Sequence, residues 1–90
     1  MIARRFYISG QVQGVGFRFF VQRSSARHQV RGYVKNLEDG RVEILAEGPI
    51  SAVDLFRQDI AAGPKGAVVT GLEELVLEPT GAYTIFRIER

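Results

Sequence analysis

The sequence predicts an α+β fold with the element order β-α-β-β-α-β, and three observations support it. Two stretches of alternating apolar and polar residues, Arg5 to Val12 and Val30 to Asn36, flank a segment with helical spacing. An Asp-Gly pair at positions 39–40 separates the second stretch from a third alternating one, which is typical of a β-hairpin. Pro49 and Gly63-Pro64 bracket a second helical segment.

The first strand and the first helix are predicted from different periodicities. Alternation gives the strand one apolar face, formed by Phe6, Ile8, Gly10 and Val12. The helix is predicted from about Phe17 to Arg27, and its buried stripe is Phe17, Phe20 and Val21.

The remaining elements follow in the same way. The second strand runs from Val30 to Asn36, with Val30 and Val34 on one face. The third strand, Arg41 to Glu47, places Val42, Ile44 and Ala46 inward. The apolar stripe of the second helix is Val53, Phe56 and Ile60. A fourth strand is predicted from Ala67 to about Leu77, with a bulge expected at Gly71, and a short fifth strand from Tyr83 to Ile88.

This element order predicts the ferredoxin-like arrangement. Two interlocked right-handed βαβ units give an antiparallel sheet with both helices on one face. The first and second strands are then parallel and separated by the third, so their C-terminal ends share one edge of the sheet. The topology therefore brings Asn36, at the end of the second strand, toward the loop that follows the first strand.

Length and composition narrow the classes of function. The 90 residues are enough for a single domain, 1–90. The absence of cysteine excludes disulfides, thiolate metal sites and a thiol nucleophile. No apolar run precedes the first strand as a signal peptide would, and none approaches the roughly 20 residues of a membrane span. We therefore expect a cytoplasmic protein that has no membrane partner.

Charge is distributed unevenly along the chain. Residues 1–35 contain seven basic residues and no acidic one, whereas all ten acidic residues lie from Glu38 onward. The positive half includes the loop after the first strand, which suits an anionic ligand. Arg23 and Arg27 are also compatible with a solvated helix face.

The loop Gln13-Gly14-Val15-Gly16 and the first turn of the helix form a candidate oxyanion site. Glycines allow backbone N–H groups to turn toward one point, and a helix N-terminus adds unpaired N–H donors and partial positive charge. Arg18 lies in that first turn, where a cation is unfavourable to the helix dipole, so a role beyond helix stability is indicated. A phosphate group is the expected ligand.

Other site chemistries find little support. The loop lacks the Gly-Lys-Ser/Thr of a P-loop and the third glycine of a dinucleotide fingerprint. The single histidine, His28, is interpreted as a solvent-facing or capping residue, because no carboxylate cluster with metal-ligand spacing accompanies it. Ser9, Ser24 and Ser25 lack a partnered base and are interpreted as surface or helix residues.

Two motifs resemble the signatures of the acylphosphatase family. They are Val12-Gln13-Gly14-Val15-Gly16-Phe17-Arg18 and Gly32-Tyr33-Val34-Lys35-Asn36, the latter followed by Asp39-Gly40-Arg41-Val42-Glu43. The similarity extends over nearly the whole chain. One departure is Arg27-His28-Gln29, where members often carry a glycine turn.

The resemblance implies a ferredoxin-like hydrolase that cleaves the carboxyl–phosphate bond of acyl phosphates. Arg18 matches the family's phosphate-binding arginine, and Asn36 matches its water-orienting asparagine. The backbone N–H groups that match the phosphate cradle belong to Gln13, Gly14, Val15, Gly16, Phe17 and Arg18. No metal or cofactor is expected. A small acyl phosphate is the expected substrate, inorganic phosphate the product and competitive inhibitor, and the protein is expected to be a monomer.

The sequence is also compatible with two other classes of function. Ferredoxin-like sheets also serve as RNA-binding modules, and Arg31-Gly32-Tyr33-Val34 partly mimics such a motif, although we expect no nucleic-acid partner. A non-catalytic anion sensor or a carbamoyl-phosphate-handling domain on the same scaffold is the second alternative, because fold alone does not determine function.

Overall fold

The computed structural model describes residues 1–90, and its elements follow the predicted order. The largest differences in boundaries are at the starts of two strands, since the first begins at Ile2 instead of Arg5 and the fifth at Phe86 instead of Tyr83. The strands are β1 (Ile2–Gln11), β2 (Arg31–Asn36), β3 (Val42–Gly48), β4 (Val68–Leu77) and β5 (Phe86–Glu89), and the helices are α1 (Phe17–His28) and α2 (Ile50–Ala62).

The strands form one sheet in the order β4-β1-β3-β2-β5. β3 lies between β1 and β2 and pairs antiparallel with both, so β1 and β2 are parallel, as predicted. β4 pairs antiparallel with β1, and the register shifts between Ser9 and Gly10, opposite Gly71, where a bulge was expected. The predicted ferredoxin-like fold is therefore confirmed, with β1 to β4 arranged in the predicted order.

β5 adds a parallel pairing that the alternation pattern did not specify. It runs alongside β2 in the same direction, so the five-stranded sheet is mixed and not wholly antiparallel. The reason lies in the connection, because residues 78–85 carry the chain from the β4 edge to the opposite edge of the sheet. The buried carboxylate of Glu47 anchors this connection by accepting hydrogen bonds from the N–H groups of Thr80 (3.0 Å) and Gly81 (3.1 Å).

Both helices pack on the same face of the sheet, and the core lies between them. α1 contacts β2 and β5, α2 contacts β1, β3 and β4, and the helices contact each other. The side chains predicted to face inward are those that the core buries, with Phe20 only partly buried at its margin. Gly10, which was assigned to the same face of β1, is exposed instead, because the register of β1 against β4 shifts at this residue. The central buried residues are Phe6, Ile8, Val34, Val42, Ile44 and Ala46 from the strands and Val21, Val53, Phe56 and Ile60 from the helices.

The ends of α1 are set by two left-handed residues. Gly16 is the N-cap, with φ 73° and ψ 20°. Gln29 closes the C-terminus with φ 57° and ψ 41°, and it is the one non-glycine residue with positive φ in the chain. The departure from the family pattern therefore places a glutamine, with its Cβ, in the conformation that a glycine usually provides at this point. At α2, Pro49 is the N-cap and directly precedes the first turn.

Candidate active site

A pocket of about 230 Å³ opens where β1 ends and α1 begins. It contains both predicted catalytic residues and most of the predicted cradle, whereas Val15 packs partly buried against the core instead of lining it. The lining residues are Val12, Gln13, Gly14, Gly16, Phe17, Arg18, Phe19 and Asn36.

The loop backbone leaves N–H groups available to this pocket. Gly14 and Gly16 have φ angles of 75° and 73°, a region that L-residues enter only at a cost. The first hydrogen bond of α1 runs from the Phe20 N–H to the Gly16 carbonyl at 3.0 Å, so the preceding N–H groups of the helix have no intrahelical partner. No side chain caps them. The positive end of α1 is therefore free to bind an anion.

The Gln13 side chain ties the loop to the β2–β3 hairpin. Its Nε2 donates one hydrogen bond to the Leu37 carbonyl at 2.8 Å and another to the Arg41 carbonyl at 2.9 Å. The same two residues close the hairpin, because the Leu37 N–H donates to the Arg41 carbonyl at 2.8 Å. One side-chain amide thus fixes the loop relative to the strand end that carries Asn36.

Arg18 is oriented by the last strand of the sheet. Its Nη1 donates to the backbone carbonyl oxygen of Glu89 at 3.2 Å. A guanidinium carries five N–H donors in a rigid fork, so this contact leaves several donors for a ligand. No acidic side chain forms a salt bridge with Arg18, although the chain forms seven elsewhere. The positive charge is therefore not neutralised inside the protein.

The Asn36 side chain has an unused acceptor. Its Oδ1 is buried, and no group of the protein donates a hydrogen bond to it. A buried polar atom without a partner costs free energy, so such an atom is informative when it lies at a pocket. An oxygen acceptor in this position can hold the hydrogen of a water or of a ligand.

The single histidine does not take the role expected for it. His28 is neither solvent-facing nor a cap, since its side chain is 15% exposed and its Nε2 lies 3.0 Å from Oδ2 of Asp59 on α2. Ser24 is buried, and its hydroxyl donates to the same oxygen at 2.7 Å. A serine nucleophile would need a histidine base, but here both side chains bind the carboxylate, so the cluster joins α1 to α2.

Other features of the molecule lie apart from the pocket. A larger and more open groove, of about 850 Å³, lies between α1 and the segment before β5 and contains none of the predicted site residues. No group of three or more His, Cys, Asp or Glu side chains is arranged to hold a metal ion. Neither helix is both long and apolar enough to cross a membrane.

Comparison with known proteins identifies the family. The acylphosphatase family model matches residues 4–88. The chain belongs to the acylphosphatase family. An acylphosphatase of Bacillus velezensis is 49% identical over 72 residues, which are 80% of each chain. The crystal structure of an acylphosphatase from Bacillus subtilis superposes with a TM-score of 0.96 at 39% identity, over the whole of both chains.

The acylphosphatase scaffold also occurs inside a larger protein. The structure of full-length HypF in its phosphate- and nucleotide-bound form matches 99% of this chain, with a TM-score of 0.87 and 28% identity. The match covers 12% of that protein. Acylphosphatase-like units therefore occur both as short chains and as parts of longer ones.

The side-chain contacts that shape the acylphosphatase pocket were not predicted. Gln13 was assigned only through its backbone, and Glu89 and Phe19 were not singled out. The partners of Gln13 lie 24 and 28 residues away in sequence, and Glu89 lies 71 residues from Arg18. Gln13 follows the end of the first strand, which the topology places near the end of the second strand, and this position could have indicated its contact with the hairpin. No local pattern marks Glu89.

Proposed function

We propose that this acylphosphatase hydrolyses the carboxyl–phosphate bond of small acyl phosphates by direct attack of water on phosphorus. The supporting observation is the convergence of Arg18, Asn36 and the glycine loop on one pocket. The water oxygen bonds to phosphorus as the bond to the carboxylate oxygen breaks, and the electron pair leaves with the carboxylate. A phosphate oxygen of the substrate accepts the proton of the water.

The leaving group explains why few side chains suffice. A carboxylate is a weak base, since its acid has a pKa of about 4, so it departs without being protonated. The reaction therefore needs no general acid. Phosphoryl transfer passes through a loose transition state with charge on the equatorial oxygens, and catalysis depends on positioning and electrostatic stabilisation.

In this proposal the loop and Arg18 hold the phosphoryl group. The backbone N–H groups of residues 13–18 donate to its oxygens, at a helix end where an anion is favoured. Arg18 binds two oxygens through its planar fork, which a lysine cannot reproduce. Inorganic phosphate presents the same oxygens and is expected to inhibit competitively.

Asn36 is assigned to the attacking water. A carboxamide both accepts and donates hydrogen bonds, so it can fix the orientation of a water molecule. The buried and unpartnered Oδ1 supports this assignment, because a bound water would supply the donor that the protein does not. The Gln13 clamp on the hairpin keeps Asn36 at a set distance from the loop.

A pocket that binds phosphate without turning over an acyl phosphate is the second candidate. The charge of Arg18, which no acidic side chain neutralises, and the uncapped N-terminus of α1 support phosphate binding, and hydrolysis of an acyl phosphate distinguishes the two candidates. An RNA-binding role has weaker support. The hydroxyl of Tyr33, the aromatic residue of the RNA-like motif, donates a hydrogen bond to the Glu43 carboxylate at 2.5 Å, so a carboxylate lies beside the ring on which a base would stack.

We also propose that the chain acts as one domain and as a monomer in the cytoplasm. The pocket is lined by residues of a single chain, so a second copy is not needed to complete it. The absence of cysteine removes any dependence on an oxidising compartment.

The decisive experiment measures benzoyl phosphate hydrolysis in water enriched in ¹⁸O. The rate is followed spectrophotometrically, and mass spectrometry of the two products locates the label. Attack on phosphorus places the label in inorganic phosphate, whereas attack on the carbonyl carbon places it in benzoate. We expect label in phosphate and the same rate with an added chelator. Label in benzoate would refute the direct attack on phosphorus, and phosphate binding without any hydrolysis would favour the second candidate.

A further inference from the structure

Phe19 is an aromatic residue that lines the pocket and has no role in the proposed mechanism. Its surface is 60% exposed, and it is the one exposed residue among the six phenylalanines. It also lines the pocket that contains Arg18 and Asn36. A single exposed apolar residue is common on protein surfaces, but one that borders a binding pocket can contact a bound ligand.

The helix geometry directs Phe19 toward the phosphate site. In an α-helix each Cα–Cβ bond tilts toward the N-terminus, and aromatic side chains point back over the preceding turn. Phe19 lies in the first turn of α1, so the preceding segment is the loop Gly14–Gly16. The neighbouring phenylalanines serve the core instead, because the rings of Phe17 and Phe20 pack against each other with centroids 6.1 Å apart.

Phe19 is the one exposed apolar side chain that lines the pocket, since Val12 and Phe17 are buried. The loop, Arg18 and Asn36 supply donors and acceptors suited to the phosphoryl group and the water. In the proposed function the loop holds the phosphoryl group, so the acyl group bonded to it faces the open side of the pocket, where Phe19 is exposed.

We infer that Phe19 is a specificity-determining residue that packs against the acyl group and favours acyl phosphates with aromatic or large apolar acyl groups. This inference rests on the proposed function. Burying apolar surface of the acyl group against an exposed ring is favourable, and an aromatic acyl group gains a further ring–ring contribution. A small acyl group reaches little of the ring and gains little.

The test compares benzoyl phosphate with acetyl phosphate as substrates for the wild type, Phe19→Ala and Phe19→Leu. Leu55→Ala is the matched control, because Leu55 is an exposed apolar residue on the other helix, at 48% exposure. The readouts are KM and kcat for each substrate, the inhibition constant of inorganic phosphate and the melting temperature.

We expect Phe19→Ala to raise KM for benzoyl phosphate about two- to tenfold, the range that an aromatic pair contributes. KM for acetyl phosphate, the inhibition constant of inorganic phosphate and the values of the Leu55→Ala control stay unchanged. Phe19→Leu restores part of the loss, since it replaces part of the apolar surface.

Two results would overturn the inference. One is an unchanged KM for benzoyl phosphate in Phe19→Ala, and the other is an equal effect on both substrates. These results leave the proposed function intact as long as the wild type hydrolyses both acyl phosphates. If the wild type hydrolyses neither, the proposed function fails first, and the role of Phe19 fails with it.

Discussion

Arg18, in the first turn of α1, donates a hydrogen bond from Nη1 to the backbone carbonyl oxygen of Glu89, in the last strand, at 3.2 Å. The acceptor is a main-chain carbonyl, so the contact orients the guanidinium without neutralising its charge. A ligand anion at the pocket therefore meets a cation whose direction is already set. Preorganisation of this kind is a large source of rate enhancement, because no reorganisation is needed during the reaction.

The first prediction concerns the fork of Arg18. Arg18→Lys keeps the charge but loses the planar pair of donors, so we expect kcat/KM for benzoyl phosphate to fall about 10²–10³-fold. The inhibition constant of inorganic phosphate should rise. Arg23→Lys, an exposed position further along α1, is the control and should keep wild-type kinetics. Near-normal turnover in Arg18→Lys would show that charge alone is sufficient.

The second prediction separates activity from stability at Asn36. Asn36→Ala removes a buried acceptor that has no partner in the protein, so the melting temperature should not fall. Turnover should fall about 10²-fold or more, while inorganic phosphate continues to inhibit competitively. Steady-state kinetics and a thermal melt on the same preparation check both parts. A variant that hydrolyses benzoyl phosphate at the wild-type rate would refute the water-positioning role.

The third prediction concerns the backbone of the loop. No atom lies within 4 Å of a Cβ built on Gly16, so Gly16→Ala meets no clash and its cost comes from the φ of 73°. We expect a loss of about 1–2 kcal/mol in the free energy of unfolding together with lower activity. Gly16→Asn should recover part of both, because asparagine tolerates this region better than alanine. Full activity in Gly16→Ala would contradict the cradle, and denaturant titration beside the assay measures both effects.

The fourth prediction concerns acid stability. The Ser24 hydroxyl, together with His28 and Arg27, holds the pKa of Asp59 below its ordinary value, against the opposing effect of burial. A carboxyl whose pKa is lower in the folded state stabilises the protein above its unfolded pKa of about 4, and this contribution is lost as pH falls through the folded value.

Asp59→Asn should therefore be less stable than the wild type at neutral pH, and the difference should shrink as pH falls below about 4. Denaturant midpoints measured between neutral pH and acid check this dependence. Asp54→Asn, at an exposed position on the same helix, should follow the wild-type profile. A constant difference between Asp59→Asn and the wild type at every pH would rule out the linkage.

The fifth prediction concerns the end of α1. Gln29 holds φ 57°, where glycine is preferred, so Gln29→Gly should raise the free energy of unfolding by about 0.5–1 kcal/mol. Gln29 does not line the pocket with Arg18, so kinetics should not change. A thermal melt is the direct measurement, and a lower melting temperature would mean that the glutamine side chain stabilises this turn in another way.

The sequence was most informative where one face of an element is buried. Alternation in β1 and β3 identified Phe6 and Ile44, which face each other across the paired strands in the core. The same topology predicted that Asn36 approaches the glycine loop, and the structure places both at one pocket. These inferences succeed because periodicity and strand order follow from burial and chain connectivity, both of which leave a pattern along the sequence.

The contacts that refine the site leave no such pattern. The Gln13 amide binds two carbonyls, and every residue has a carbonyl, so the identity of its partners depends only on position in space. The direction of β5 depends on the connection from β4, which buried Glu47 holds in place. Charged residues are usually exposed, so the sequence gives no sign that Glu47 is buried. The role expected of His28 was wrong because its partner, Asp59, lies on the other helix.

The tip of a β-hairpin is usually where a chain accepts inserted residues. In this protein a single glutamine, Gln13, spans the carbonyls of Leu37 and Arg41 on either side of that tip. Extra residues there would separate the two carbonyls and release the loop from the strand end that carries Asn36. The length of this short connection is thus constrained by chemistry at a neighbouring loop, whereas the exposed turn at Lys65-Gly66 carries no comparable restriction.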